Sequence, residues 1–151
     1  MVAPTYQRAA QLPEFLSRYA SGNVTSLKRI VLLWNEVDTE PPQSLVKSLP
    51  SFNVPVIIEQ RHINSLNQRF HETEYITTEC VLAMDDDMLY HPEDVEFGYQ
   101  TWKSFGQGRK RMIGYHQRAV STDGRYDVGG KSYRYVGSAE NATGVIVRIA
   151  S

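Results

Sequence analysis

Apolar residues recur at two spacings along the 151-residue chain, and each spacing predicts a kind of element. Leu12, Phe15, Leu16 and Tyr19 stand three and four apart, the period of one helix face. A helix is therefore expected over Thr5 to Ala20, closing before Ser21-Gly22. Ile30-Val31-Leu32-Leu33-Trp34 is a short unbroken apolar run, rich in branched residues, as in a strand covered on both faces. Pro41-Pro42 opens a short amphipathic helix through Leu45, Val46 and Leu49, since proline suits a first helical turn. Val54 to Ile58 reads as a second strand, Asn64 to Tyr75 as a helix with Leu66 and Phe70 on one face, and Cys80 to Met84 as a third strand. Pro92 to Phe105 is a further helix with Val95, Phe97, Tyr99 and Trp102, Ile113 to His116 a fourth strand, and Tyr126 to Tyr135 a hairpin or loop.

Strands alternating with helices predict an α/β domain built on a mainly parallel sheet, with helices on both faces. Ligands in such sheets bind beyond the carboxyl ends of the strands. Asn35, the stretch Gln60 to Asn64, and Asp85-Asp86-Asp87 all follow strands directly, so three strand ends are expected to converge on one rim.

Composition adds exclusions. A chain with 41% hydrophobic and 22% charged residues matches one globular domain, and a formal charge of −1 argues against nucleic acid or anionic lipid as the main partner. Cys80 is the single cysteine, so neither an intrachain disulfide nor a cysteine-based zinc site is available, and its place beside an apolar run fits a buried inert thiol. There is no secretory signal pattern and no run near the roughly 20 apolar residues of a membrane span. Two glycosylation sequons, Asn23-Val24-Thr25 and Asn141-Ala142-Thr143, would place the chain in a lumenal or secreted compartment if used.

The aspartate triplet carries the strongest chemistry. Three adjacent carboxylates repel one another, and at the mouth of an apolar strand they call for a compensating cation; the bland alternative is a solvated acidic turn. Oxygen ligands without nearby histidine or cysteine favour magnesium, manganese or calcium over zinc. Arg8, Arg61, Arg69 and Asn64 are candidates for phosphate, ribose or base. Neither a P-loop nor a GxGxxG pattern is present, which points to metal-mediated diphosphate binding. His62, His71, His91 and His116 show no metal-ligand spacing, and Gly106 to Arg111 reads as a basic turn.

Val81 to Asp87, followed by Pro92-Glu93-Asp94-Val95 and Gln100-Thr101-Trp102, resembles the exostosin-like glycosyltransferases of family 64. Thr5-Tyr6-Gln7-Arg8, Ile30 to Asn35, Pro55-Val56-Ile57 leading to Asn64 and Arg69, and Ile113-Gly114-Tyr115 extend the resemblance, in order, over nearly the whole chain. The resemblance implies a GT-A fold that transfers N-acetylhexosamine, from UDP-GlcNAc or UDP-GalNAc, to a glycan acceptor with retention, using manganese (Mn2+). Thr5, Arg8, Asn35, Asn64 and Arg69 would then surround the uridine, Asp85 and Asp86 would lie near ribose and sugar, and Asp87 would bind the metal.

Residues 1–151 would thus form the donor-binding portion, with the acceptor-binding part beyond Ser151 and no catalytic residue for the transfer step within the chain. The full-length protein is expected in the lumen of the Golgi or endoplasmic reticulum, anchored to the membrane. Gly144 to Val147 resembles the strand that opens the second half, with an apolar edge expected at Val145-Ile146-Val147. Two alternatives stay open: a UDP-sugar-binding module without turnover, and a metal-dependent nucleotidyltransferase drawing a second carboxylate from Glu36, Asp38 or Glu59.

Overall fold

A computed structural model describes residues 1–104 and 113–115, together with the backbone of 125–128, 131–134 and 147–148. Strands β1 (Val2–Thr5), β2 (Ile30–Trp34) and β3 (Val56–Gln60) form a parallel sheet in the order β1-β2-β3. Val2 faces Val31 across the first pair and Ile30 faces Val56 across the second. Strand β4 (Val81–Leu82) lies on the other side of β1, joined by a parallel bridge between Val2 and Ala83 and by the Met84 N–H to the Val2 carbonyl at 3.0 Å. The working order is therefore β3-β2-β1-β4, and the direction of progression reverses between β1 and β4.

The alternation of side chains divides the core in two. Ala3, Ile30, Leu32 and Trp34 face helix α1 (Leu12–Tyr19), where Leu12, Phe15, Leu16 and Tyr19 are fully buried. Leu45 of helix α2 (Gln43–Ser48) and Val95 of helix α3 (Pro92–Ser104) join the same cluster. Val2, Val31 and Leu33 on the opposite face meet Val81, Tyr75 and Ile76. The cover there is an irregular segment of turns rather than a long helix. The expected helix over Asn64 to Tyr75 shrinks to one 3-10 stretch, Leu66–Phe70, capped by the Ser65 hydroxyl accepting from Asn67 N–H at 3.2 Å. Its apolar positions are too few to form a buried stripe: Leu66 is 69% exposed and 71–74 are all polar.

Other boundaries shift for local reasons. The helix expected from Thr5 begins only at Leu12, because Val2–Thr5 is taken up as β1 and Pro13 sits in the first turn. The second strand starts at Val56 rather than Val54, fixed by its pairing with Ile30 and by the Ile30 N–H to the Pro55 carbonyl at 3.0 Å. The third is paired only over Val81–Leu82 and the Ala83 bridge, not from Cys80 to Met84.

Ile113 to Tyr115 are not in a strand; Tyr115 instead stacks on Tyr90 at 4.8 Å and donates to the Val95 carbonyl at 3.3 Å. Gly98 leaves the space its hydroxyl occupies. Strands β5 (Arg125–Val128) and β6 (Lys131–Arg134) form the expected antiparallel hairpin. The edge expected at Val147 is paired: β7 (Val147–Arg148) runs antiparallel to β4. Phe105, Gly106 to Arg111, His116, Asn141 to Thr143, and Val145-Ile146 lie outside the described residues.

An apolar cavity of about 400 Å³ lies beneath the amino ends of the strands, lined by Val31, Tyr75, Ile76, Val81, Tyr99 and Trp102 among others. It is at the opposite end of β4 from the aspartates.

Candidate functional site

The reversal between β1 and β4 opens a crevice at their carboxyl ends, the position where open α/β sheets bind ligands. β1 delivers Thr5 and Arg8 to one wall and β4 delivers the aspartates to the other. After β1 the chain turns sharply: Gln7 has φ 54°, in the left-handed region, and its N–H donates to Glu36 Oε1 at 2.9 Å. A non-glycine residue in that region costs about 1–2 kcal/mol, so the surrounding contacts impose it. The next residue, Arg8, reaches across the crevice. Its Nη1 donates to Asp86 Oδ1 at 2.9 Å and to Asp87 Oδ2 at 2.6 Å. The Arg8 pKa is pushed above its ordinary value, first by the hydrogen bond to Asp86 and then by the charges of Asp86 and Asp87.

Asp85 turns the other way. Arg69, in the 3-10 stretch, donates from Nε to the Leu66 carbonyl at 3.1 Å and from Nη2 to Asp85 Oδ1 at 2.5 Å. The aspartates sit on a tight turn closed by the Met88 N–H to the Asp85 carbonyl at 3.2 Å. Tyr19 secures the chain beyond it, donating to the Met88 carbonyl at 2.9 Å. Burial among apolar residues pushes the Tyr19 phenol up to about 12.

A second group follows the same rim. Thr5 and Asn35 are both buried, and the Asn35 N–H donates to the Thr5 carbonyl at 3.0 Å. Asn35 Nδ2 donates to the Ser65 carbonyl at 3.3 Å, so β2 and the loop after β3 are tied together here. Asn64 is exposed beside Ser65. Thr5 Oγ1, Asn35 Oδ1 and Asp86 Oδ2 are buried and have no hydrogen-bond partner among the described residues. Buried polar atoms are nearly always paired, so three orphans on one rim mark it as a surface shaped for a polar ligand.

The structure thus draws Arg8, Asp86 and Asp87 together, joins Arg69 to Asp85, and ties Thr5, Asn35 and Ser65 in a row. It leaves other candidates elsewhere. Arg61 pairs with Glu59 at 3.1 Å instead of reaching the aspartates. His91 accepts the first backbone N–H groups of α3 through its carbonyl, while His62 and His71 are exposed. Cys80 is half-buried, and burial lifts its thiol to about 11, consistent with an inert group. With Glu59 on Arg61 and Glu36 on the Gln7 backbone, neither carboxylate opposes the triplet as a second metal site requires. Tyr19 and Ser65 were not among the sequence candidates, and Glu36 was named only as a possible second metal carboxylate, not as the acceptor of the Gln7 N–H. Tyr19 reads there only as a core position, and nothing local marks a backbone carbonyl or a long-range acceptor.

Electrostatics decide what the crevice accepts. Three carboxylates face two guanidiniums, leaving a net negative charge that repels a diphosphate. Among the described residues no three acidic, histidine or cysteine side chains converge to enclose a metal ion. A hard divalent cation can still be held by one or two carboxylates when phosphate and water oxygens complete its shell. Asp87, 46% exposed, and the oxygen of Asp86 without a partner among the described residues would supply that donor set.

Residues 1–150 match the model of the Glycosyl transferase family 64 domain. The chain is 32% identical over 132 residues to exostosin-like 2 of Mus musculus, covering 86% of this chain and 38% of that protein. It is 34% identical over 143 residues to glucosamine inositolphosphorylceramide transferase 1 of Oryza sativa subsp. indica, covering 90% of this chain and 18% of the relative. Exostosin-2 of Homo sapiens is 32% identical over 115 residues, covering 76% and 15% respectively. The chain spans less than half the length of each of these relatives.

Proposed function

The chain belongs to the glycosyl transferase family 64 domain family, and from that premise we propose that it is the donor-binding portion of a metal-dependent glycosyltransferase. The donor is UDP-GlcNAc or UDP-GalNAc, the transferred group an N-acetylhexosamine, the acceptor a glycan, and the configuration retained. One observation supports this reading above the others: the carboxylates of β4 and the arginine after β1 face each other across the switch point of the sheet.

Each residue then has a role set by its place on the rim. Asn35 and Asn64 offer amide groups to the uracil edge, with the free Asn35 Oδ1 as acceptor, and the Thr5 hydroxyl lines the same wall. Arg69 holds Asp85 beside the ribose, and Asp86 lies next to the sugar. Arg8 meets the diphosphate, for which its planar fork is suited. Asp87 holds manganese, which neutralises the charge that builds on the leaving diphosphate. Fixing donor and acceptor together supplies much of the acceleration in such transfers, roughly 7–11 kcal/mol in well-oriented cases. This chain contributes the donor side of that positioning. The exposed sequon at Asn23 supports a Golgi or endoplasmic reticulum lumen for the full-length, membrane-anchored protein; among the described residues no helix is long and apolar enough to cross a membrane.

Calorimetry of UDP binding with manganese and with EDTA tests the reading. Tighter binding with metal is expected. Equal UDP affinity in the two buffers would overturn it.

A further inference from the structure

Arg8 and Arg69 neutralise one carboxylate triplet but are fastened in different ways. Arg69 is 15% exposed, and its Nε is tied to the carbonyl of Leu66, three residues back in its own turn. Arg8 is 43% exposed, and among the described residues its side-chain bonds run to the aspartates alone. A single nitrogen, Nη1, makes both bonds, so one positive centre sits between oxygens of two successive carboxylates. A small cation bound there would occupy the same place. The other oxygen of Asp86, a residue 4% exposed, is buried without a partner among the described residues, so the carboxylate pair keeps an acceptor that Arg8 does not satisfy. Arg8 is also delivered by its backbone rather than by packing, through Gln7 at φ 54° and the Glu36 carboxylate that holds the Gln7 N–H.

We propose that Arg8 is an exchangeable counter-cation. In the donor-free protein it occupies the cation position between Asp86 and Asp87; metal binding displaces it, and the freed guanidinium turns to the incoming diphosphate. This rests on the reading of Asp87 as the metal ligand. Two consequences follow from the geometry. Metal alone binds weakly, because it must break both Arg8 bonds, and metal with nucleotide binds cooperatively, because the nucleotide gives Arg8 a new anionic partner. Arg69, anchored to Leu66, does not exchange. Arg8 is thus a positioning residue that couples loading of the metal to loading of the donor.

The test measures Mn2+ binding without nucleotide, by the electron paramagnetic resonance signal of the free ion, and then UDP binding at saturating Mn2+. The full 151-residue chain is compared with its Arg8→Ala, Arg8→Lys and Asp87→Ala variants. Arg8→Ala is expected to tighten Mn2+ binding by about three- to tenfold, the scale of one or two ion pairs made by a half-exposed arginine, while weakening UDP binding. Arg8→Lys, which keeps one charge on a flexible stem, should fall between wild type and Arg8→Ala in both measurements, and it preserves the test if Arg8→Ala folds poorly. Unchanged or weaker Mn2+ binding in both Arg8 variants, with binding abolished by Asp87→Ala, overturns the exchange and leaves the metal site standing. Wild-type Mn2+ binding in Asp87→Ala overturns both.

Discussion

Replacing Asp87 by alanine separates what the aspartate does for the fold from what it does for the ligand. Among the described residues Asp87 makes one side-chain bond, to Arg8 at 2.6 Å, with the two side chains 46% and 43% exposed. Ion pairs this exposed contribute about 0.2–1 kcal/mol, and Arg8 keeps its bond to Asp86 at 2.9 Å. The thermal midpoint should therefore fall by no more than about 5 °C. The effect on ligand binding is far larger. Loss of a group that merely orients a metal ligand costs about 10–100-fold in metal affinity, so loss of the ligand itself should cost at least about 100-fold, or some 2.7 kcal/mol. Calorimetry of UDP at saturating manganese reads this directly, with a melting curve on the same sample. The expected pattern is a near-native melt and a UDP affinity that no longer responds to EDTA. An Asp87→Ala protein whose UDP binding still strengthens with manganese would refute the assignment of the last aspartate.

Three further outcomes follow from particular contacts. Tyr19→Phe removes the donor to the Met88 carbonyl at 2.9 Å, which should cost about 1 kcal/mol in a denaturant titration and weaken UDP binding by loosening the chain beyond the aspartates; unchanged stability would contradict it. Burial raises the Cys80 thiol to about 11 and the Tyr19 phenol to about 12, so the stability these groups gain as neutral species is complete below about pH 9 and is lost as pH climbs through 11–12. Melting midpoints across pH 8–12 should show that decline, and a flat profile would count against it. Arg69→Ala removes the guanidinium that pairs with Asp85, so UDP affinity should fall about tenfold with little change in manganese binding; tighter manganese binding instead would place the metal at Asp85, freed of its competing cation.

The sheet was legible in the sequence where burial alone writes the pattern. Ile30 to Trp34 could only be a strand covered on both faces, and it is buried at every position. Leu12, Phe15, Leu16 and Tyr19 displayed the helix that covers it. The limits of elements were less legible, because pairing partners set them: β3 begins at Val56 opposite Ile30, and β4 is paired over just Val81–Leu82. The stretch after β3 misled for a different reason. Leu66 and Phe70 lie four apart, yet Leu66 is 69% exposed, so periodicity without burial produced only a 3-10 stretch. The aspartates and Asn35 could be nominated from residue type and from their positions after strands, Arg8 and Arg69 from residue type and the family resemblance alone. Which arginine meets which carboxylate could not, since Arg8 and Asp86 are 78 positions apart and their meeting depends on β4 crossing to the far side of β1.

That crossing also explains why the destabilising features gather at one end of the sheet. Like charges at three successive positions, three of the buried polar atoms that lack partners among the described residues, and a left-handed Gln7 all lie at or just past the carboxyl ends of β1, β2 and β4. Each opposes folding by on the order of 1–3 kcal/mol. None touches the cluster of α1 against Ala3, Ile30, Leu32 and Trp34, which is nearly free of polar groups and tolerates such a rim. A sequence selected for stability alone would place apolar or self-paired residues at Thr5, Asn35 and Asp86, as it does at Val2, Leu33 and Val81 along the same strands. Thr5 and Asp86 stand where the strand order reverses, and Asn35 at the neighbouring strand end beside them. Local rules broken together at that one place, on a core that obeys them, are what a binding site imposes on a fold.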